Sequence, residues 1–233
     1  RAPAVSYLIP LPSCTSESKK VKAVRFCTTS YLRPTIPNTS CVSARRVAKW
    51  VFILLVLSMR CPSQLKDVVK RFECQKVGEL TGKRPVYELE YKNIKITLFM
   101  AGISGSWISA DIEELNINGV DTFIIFGNCG VLDKNIEDCS IIIPDKAYRD
   151  EGTSYHYLPD SEYIELNKTY KSLFKDILKD YNFEYTEGAT WTIDAFYRET
   201  QEKIKRYQKK GVICVEMEGA SIAHTAYLNK TPY

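Results

Sequence analysis

The chain has 233 residues, of which 45% are hydrophobic and 26% are charged, and both fractions are close to those of average globular proteins. A chain of this length can bury a sizeable core. The composition therefore excludes collagen, coiled-coil and wholly disordered proteins and favours one large globular domain.

The positive charge is concentrated near the start of the chain. The net charge is +4, but residues 1–50 hold nine Lys or Arg side chains and one acid, Glu17, so they carry +8 and residues 51–233 carry −4. Residues 1–45 are rich in Ser, Thr, Pro and Lys without sustained periodicity. We predict a basic N-terminal extension at residues 1–45 and the domain at residues 46–233. A nucleic-acid-binding arm is the alternative for the extension, but no DNA- or RNA-binding motif accompanies the charge, so no nucleic acid partner is expected.

Cysteine usage and hydropathy bear on the compartment. The eight cysteines form no C-x-x-C pair and no zinc-like spacing with histidine, which favours free thiols in a reducing compartment. The apolar run at residues 50–59 is about half of the ~20 residues needed to cross a bilayer, and it lies too far into the chain for a signal peptide. We therefore predict a buried strand there, no membrane partner and a cytoplasmic location.

The elements of the domain follow in chain order. The patterns predict a strand at 50–57, a helix at 63–72, a hairpin of strands 86–91 and 94–100, a helix at 106–118, and short apolar strands at 122–126 and 140–143. They then predict a helix at 167–181, a strand at 185–192, a helix from the cap Thr200 to Lys210, a strand at 212–215 and a last helix at 218–228. This alternation predicts an α/β fold, a single domain with a mixed central β-sheet flanked by helices on both faces.

Two glycine-containing segments follow predicted strands. Residues 101–106 connect a strand to a helix, where glycines let a backbone approach a ligand and the helix N-terminus attracts an anion. Residues 126–130 lie at the end of a central strand, where Gly127 and Asn128 could present N–H groups and an amide to an oxyanion. For each segment, a purely structural turn is an equally good interpretation.

Two acids flank a methionine directly after the apolar residues 213–215. Carboxylates beside an apolar strand are costly unless they have partners. A sugar with vicinal hydroxyls would suit Glu216 or Glu218, and the Met217 thioether could pack on the sugar or base. The alternative is an ordinary acidic helix N-terminus, which the helix dipole favours.

Two further segments combine polar and aromatic side chains. Residues 149–157 contain His156, and residues 190–200 place Phe196 and Tyr197 at another strand end. An aromatic ring in such a position could stack on a base, although a single aromatic side chain more often belongs to a core.

In this order and spacing, the segments resemble the nucleoside phosphorylase family that includes uridine phosphorylase, hexameric purine nucleoside phosphorylase and methylthioadenosine nucleosidase. The resemblance covers about residues 86–228. Residues 215–220 (VEMEGA) are similar to the family's V-E-M-E-A-A signature, and residues 194–197 (DAFY) to its D-x-F-Y segment. Residues 149–159 look closest to the uridine phosphorylase branch, with its G-A-S-x-H-[FY]-x-P stretch.

The resemblance implies a site, a reaction and an assembly. In the implied site, the catalytic residues are Glu218, which binds the ribose hydroxyls, and Glu216, which supports the ribose side or the base. Met217 lines the sugar and the base, Phe196 stacks on the base, and His156 belongs to the substrate-binding loop. Gly127 and Asn128 lie beside the phosphate. The implied reaction is phosphorolysis of a pyrimidine or purine ribonucleoside to ribose 1-phosphate and free base, with inorganic phosphate as co-substrate and no metal or organic cofactor. The implied partners are the nucleoside, phosphate and further copies of the chain, in a homo-oligomer (a dimer or hexamer) with sites near subunit interfaces.

The sequence departs from the family pattern at several positions. Ile125 replaces an Arg of the phosphate loop, and the G-D-P-x-R loop is not found in residues 1–60. Thr200 and Glu202 stand near the places of the Gln and Arg that read uracil. The chain stops at Tyr233, before the segment that carries the base-protonating Asp of the purine branch, so a C-terminally truncated domain is expected. A hydrolytic nucleosidase and a non-catalytic nucleoside-binding or storage protein therefore remain as alternatives.

Overall fold

The computed structural model describes residues 23–30, 53–57, 62–92, 94–118, 120, 122–137, 140–166 and 168–228. The α-helices are α1 (Pro62–Arg71), α2 (Gly105–Ile117), α3 (Lys168–Asp180), α4 (Gln201–Lys209) and α5 (Gly219–Leu228). The strands are β1 (Ala23–Ser30), β2 (Ile53–Leu57), β3 (Gln75–Leu80), β4 (Arg84–Tyr91), β5 (Ile94–Met100), β6 (Thr122–Val131), β7 (Ser140–Asp150), β8 (Tyr163–Glu165), β9 (Tyr185–Ile193) and β10 (Val212–Glu216). Two short 3-10 helices cover Thr153–His156 and Phe196–Arg198.

Within the described residues, the ten strands belong to one curled, mixed sheet. Its order is β1-β7-β9-β10-β6-β2-β5-β4-β3, β8 pairs with β7, and β1 also pairs with β6. The extra pairing closes β1, β7, β9, β10 and β6 into a ring. Strands β2, β5 and the first half of β6 are parallel, whereas β10 runs antiparallel to β6. The predicted mixed sheet is confirmed.

Helices cover both faces of this sheet. On β5, Leu98 belongs to the apolar cluster that contains Leu65 of α1, whereas the next residue, Phe99, belongs to the cluster that contains Ile108 of α2. Successive side chains of a strand point to opposite faces, so α1 and α2 lie on opposite sides. This confirms the predicted α/β fold class with helices on both faces.

Most predicted elements occur where their patterns indicated. The helices predicted at 63–72, 106–118, 167–181, 200–210 and 218–228 correspond to α1 to α5. The hairpin is confirmed by the antiparallel pairing of β4 and β5, with Tyr91 opposite Ile94. The Thr200 hydroxyl accepts a hydrogen bond from the Lys203 N–H at 3.4 Å, so the predicted cap is in place.

Two strands are longer than predicted, and two were not predicted. β6 does not end at Phe126 but continues to Val131, because its second half pairs with β10 and β1. β7 does not end before Pro144 but continues to Asp150, with an irregularity between Pro144 and Ala147 that lets the proline stay in the strand. Neither the polar strand β3 nor the three-residue strand β8 has a strong alternation of apolar and polar residues. β3 forms by pairing with β4, and β8 forms by pairing with β7.

The first two strands concern the predicted N-terminal boundary and the apolar run. β1 lies inside the segment predicted as an extension, yet it pairs with β6 along its whole length. The division at residue 45 stays a prediction.

The apolar run supplies β2, which lies between two parallel neighbours, β5 and β6, as expected for a fully apolar strand. In the part of the chain that the structure describes, no helix combines the length and hydropathy that a membrane span needs.

An ion-pair cluster joins α3 to β9 and makes stability depend on pH. Lys175 Nζ contacts Glu187 Oε2 at 2.6 Å, and Lys171 also contacts this carboxylate. The hydrogen bond from Lys171, followed by that from Lys175, holds the pKa of Glu187 below its usual value. A carboxyl whose pKa is lower in the folded state stabilises the fold above its unfolded pKa, near 4.3, and this contribution disappears as the pH falls through the folded pKa.

We expect Glu187→Gln to lower the free energy of unfolding at neutral pH, with a smaller deficit at about pH 3. Urea unfolding of both proteins at the two pH values measures this difference. The exposed Glu184 provides a matched control, and Glu184→Gln should produce little pH-dependent deficit. If Glu187→Gln lowered the free energy of unfolding by the same amount at both pH values, this interpretation would be contradicted.

Candidate functional site

The candidate site lies where the carboxyl ends of three parallel strands meet. β9 pairs in parallel with both β7 and β10, with Asp150 opposite Ile193 and Thr192 opposite Glu216. From these ends the chain continues into the first 3-10 helix, the Asp194 segment and α5. Ligands in α/β sheets bind beyond the carboxyl ends of strands, so this edge is where a site is expected.

A cleft of about 620 Å³ opens at this edge. It is lined by Ser104, Ser106, Gly152, Thr153, His156, Tyr157 and Asp194. Two long-range hydrogen bonds hold its walls together. The Gly152 N–H donates to Asp194 Oδ2 at 2.8 Å, and the Ser104 N–H donates to Glu218 Oε1 at 3.1 Å. The segments singled out at 101–106, 149–157, 190–200 and 215–220 therefore meet at one place.

Glu218 is the predicted ribose ligand, and it stands at the start of α5 beside the cleft. Its side chain is half-buried, and its contact with the Ser104 N–H directs the carboxylate towards the loop that begins α2. Met217 is also half-buried, next to it in the turn. These positions are compatible with the predicted sugar contacts, and the roles of both residues stay predictions.

Glu216 is buried, at 5% exposure, and its contacts are within the fold. Its Oε1 accepts hydrogen bonds from Thr192 Oγ1 at 2.6 Å and from Thr190 Oγ1 at 3.1 Å. Its Oε2 accepts from the N–H groups of Glu218 and Gly219, both at 2.7 Å. The carboxylate thus anchors the N-terminus of α5 to β9, and its predicted role towards ribose or base is not tested by these contacts.

The two predicted aromatic contributions, His156 and Phe196, come from the segments that follow β7 and β9. His156 ends the first 3-10 helix and lines the cleft with an exposed side chain. Phe196 lies two residues beyond Asp194 and is 46% exposed, so it does not belong to the core. Its ring centroid lies 4.1 Å from that of Tyr197. Phe196 is not among the residues that line the cleft, and base stacking stays a prediction.

Gly127 and Asn128, predicted beside the phosphate in a turn, lie inside β6. They stand opposite Arg25 and Val24 of β1, so the expected glycine turn at residues 126–130 is wrong. β10 pairs with β6 at Gly130 and Val131 only, and Gly127 and Asn128 therefore lie along the stretch of β6 that continues past the end of β10. Their predicted place beside a phosphate stays a prediction.

Packing accounts for two glycines of the 101–106 segment. A Cβ on Gly102 would lie 2.3 Å from the Trp107 ring, and a Cβ on Gly105 would lie 2.1 Å from Ser221 Oγ and 2.9 Å from Ser221 Cβ. These contacts leave no room for a methyl group. Gly102 is needed for the close packing of the Trp107 ring on the turn, and Gly105 for the close approach of helices α2 and α5. The turn also holds Ser104 at φ 107°, a strained value for a non-glycine residue.

Two sets of hydrogen bonds that support the site could not be inferred from the sequence, because their partners are distant along the chain. Arg84 Nη1 donates to Asp111 Oδ2 at 2.7 Å, and the same oxygen accepts from the Gly102 N–H at 3.4 Å. Tyr157 Oη donates to Glu113 Oε1 at 2.7 Å. Burial, with a further contribution from Glu113, raises the pKa of Tyr157 to about 12, so this cleft-lining phenol keeps its proton at neutral pH.

The packing of Gly105 against Ser221 gives a direct test of the site's architecture. Gly105→Ala should lower the free energy of unfolding by about 1–3 kcal/mol, because the added methyl group forces two helices apart. Denaturant unfolding measures the loss. Gly78→Ala is the control, since a Cβ there meets no atom within 4 Å. If Gly105→Ala were as stable as Gly78→Ala, the close contact between α2 and α5 would be contradicted.

Comparison with known proteins shows similar sequences and a matching family model. A model of the phosphorylase superfamily matches residues 53–233. The chain is 28% identical over 150 residues to a guanosine phosphorylase from Halorubrum lacusprofundi, a match that covers 62% of this chain and 61% of the relative. It is 26% identical over 182 residues to a 5′-methylthioadenosine/S-adenosylhomocysteine nucleosidase from Buchnera aphidicola, covering 73% and 74%.

A solved structure shows the same fold. The uridine phosphorylase from Vibrio fischeri superposes with a TM-score of 0.68 at 21% identity, and the match covers 76% of this chain and 74% of that protein. The family model accounts for most of the chain, and the resemblance stated from the residues alone is confirmed. The chain belongs to the phosphorylase superfamily, whose members named here process nucleosides.

Proposed function

We propose that this protein cleaves the N-glycosidic bond of a ribonucleoside with inorganic phosphate, releasing the free base and ribose 1-phosphate. The observation that carries the proposal is the position of Glu218, at the start of α5 and hydrogen-bonded to Ser104 at the cleft. A carboxylate can accept hydrogen bonds from two sugar hydroxyls. Glu218 therefore takes the role of ribose ligand, with Met217 against the sugar and base.

The chemistry requires positioning more than proton transfer. As the glycosidic bond breaks, the ribose acquires oxocarbenium character, and a fixed carboxylate beside it stabilises the developing positive charge. The Glu216 carboxylate holds the α5 N-terminus by accepting hydrogen bonds from the N–H groups of Glu218 and Gly219, so Glu218 needs little reorganisation during the reaction. In the proposal, the base lies against Phe196 and His156 before it leaves.

The anion has a suitable approach at the first turn of α2. Ser104 and Ser106 line the cleft there, with their hydroxyl oxygens 3.1 Å apart. The first turn of α2 contains no acidic residue, and the N-terminal end of a helix attracts anions. In the proposal, phosphate approaches C1′ from this side, with Gly127 and Asn128 nearby. No metal ion or organic cofactor enters the proposed reaction.

Hydrolysis is the second candidate, and one residue favours it. Ile125 stands where the phosphorolytic branches carry an Arg, and it is buried in the apolar cluster beneath α2. A phosphate at this site would lack that cation. The related proteins include a phosphorylase and a nucleosidase by name, so both reactions are compatible with the family.

We extend the proposal to the assembly and the compartment. The exposed pair Phe196 and Tyr197, the latter 90% exposed, follows the cleft-lining Asp194 in the chain. A second copy of the chain packed against this pair would cover it, as in the predicted homo-oligomer. The free cysteine Cys74 suits a reducing compartment such as the cytoplasm.

Release of free base, with and without phosphate, distinguishes the candidates. We expect the protein to release base from at least one of uridine, inosine and methylthioadenosine, in a phosphate-dependent manner and with ribose 1-phosphate as product. Chromatography of the products measures both. Turnover that is independent of phosphate and yields free ribose would replace phosphorolysis by hydrolysis. Nucleoside binding by calorimetry without turnover would instead indicate a binding or storage protein.

Substitution of the proposed ribose ligand tests the role of Glu218. Glu218→Gln should lower kcat/KM about 100-fold, because charge-assisted hydrogen bonds contribute about 1.5–3 kcal/mol each. Steady-state kinetics on the best nucleoside measures the loss. Glu184→Gln, on the exposed surface away from the cleft, is the matched control and should leave kcat/KM unchanged. Full activity of Glu218→Gln would remove Glu218 from the mechanism.

A further inference from the structure

A buried polar network lies directly behind the cleft. It consists of Arg149 at the end of β7, Glu151, Ser154 in the first 3-10 helix, and Ser221 in α5. All are at least 94% buried. Arg149 Nε donates to Ser154 Oγ at 2.8 Å, and Ser154 Oγ in turn donates to Glu151 Oε1. The serine hydroxyl thus connects a buried cation to a buried anion.

The Glu151 carboxylate is the centre of this network. Its Oε2 accepts from the Ser154 N–H at 2.9 Å and from Ser221 Oγ at 2.8 Å. A buried carboxylate is tolerated only when its oxygens are satisfied by donors. Here the donors come from two separate elements, a loop helix and α5. The carboxylate therefore fixes the distance between those elements.

Both elements carry parts of the candidate site. The residues that follow Glu151 supply four cleft-lining positions, Gly152, Thr153, His156 and Tyr157. Ser221 lies three residues after Glu218, in the first turn of α5. Gly105 packs on Ser221, so the start of α2 meets the network as well.

We propose that Glu151 is a positioning residue, which holds the His156 loop at a fixed separation from the ribose-binding end of α5. This inference rests on the proposed function. Glu151 does not reach the cleft itself, and it acts through Ser154 and Ser221. Loss of the carboxylate releases the loop from α5 and misplaces the base side of the site relative to Glu218. Misplacement by about 1 Å can cost about 100-fold in rate.

The chain offers a pair of substitutions that separate positioning from charge. In Glu151→Gln, the amide oxygen can replace Oε2 as acceptor from Ser154 N–H and Ser221, while the amide NH₂ donates to Ser154 Oγ, which has lone pairs to accept it. Glu151→Gln therefore keeps the connection between loop and helix. Glu151→Ala removes it. Ser221→Ala removes only the contact with α5, and Ser172→Ala, exposed on α3, is its control.

The test is steady-state kinetics on the nucleoside that the wild-type protein cleaves best, with the folded fraction of each variant measured by denaturant titration. We expect kcat to fall about 10- to 100-fold in Glu151→Ala after correction for the folded fraction, with KM changed less than about threefold. Ser221→Ala should show a smaller fall in kcat, whereas Glu151→Gln and Ser172→Ala should stay within about threefold of wild type.

The outcomes separate this inference from the proposed function. A wild-type protein that cleaves no nucleoside, with or without phosphate, overturns both. An active wild type with Glu151→Ala as active per folded molecule as Glu151→Gln overturns the positioning role alone. If Glu151→Ala does not fold, Ser221→Ala decides, and a kcat equal to that of Ser172→Ala overturns the proposal.

Discussion

The interaction on which the site depends is the anchoring of the α5 N-terminus by the buried carboxylate of Glu216. This group accepts four hydrogen bonds, two from threonine hydroxyls of β9 and two from the first N–H groups of the helix region. Hydrogen bonds to a charged group contribute about 1.5–3 kcal/mol each, and the helix dipole adds to the attraction. The direction in which the chain leaves β10 is thereby fixed, and with it the position of Glu218.

Small side chains allow the rest of the site to assemble around that anchor. Glycine at 105 lets α2 approach α5 closely enough for the Ser104 N–H to reach Glu218. Asp111 ties the same loop to β4 through Arg84. Glu151 connects α5 to the loop on the far side of the cleft. Two parts of the sheet, one that contains β5 and one that contains β7 and β9, thus contribute to a single cleft. Buried carboxylates hold the segments that follow these strands in place.

Local patterns in the sequence were sufficient for the fold class and for most helices, because amphipathic periodicity and caps such as Thr200 are encoded within a few residues. The ends of β6 and β7 were not predictable in this way. Their last residues are strand because β10, β1 and β9 pair with them from distant parts of the chain. A glycine pair at residues 127–130 is locally a turn signal, and tertiary pairing overrode it.

The site residues divide in the same way, into those identified from the local sequence and those whose role depends on distant partners. Glu218 and the 101–106 loop were identified from chemistry-bearing residues at strand ends, and His156 from the family resemblance, and the structure brings these segments together. The threonine partners of Glu216 are 24 and 26 residues away, and the partners of Glu151 include one 70 residues away. Sequence spacing alone carries no signal for such contacts, so the difference between an acid that anchors a helix and one that faces a cleft required coordinates.

A crystal structure with a bound ribonucleoside would show whether Glu218 binds the sugar. We expect two ribose hydroxyls to donate to the Glu218 carboxylate at about 2.6–3.2 Å, with the base on the side of Phe196 and His156. A nucleoside bound away from this cleft, or a Glu218 side chain that makes no contact with the sugar, would contradict it.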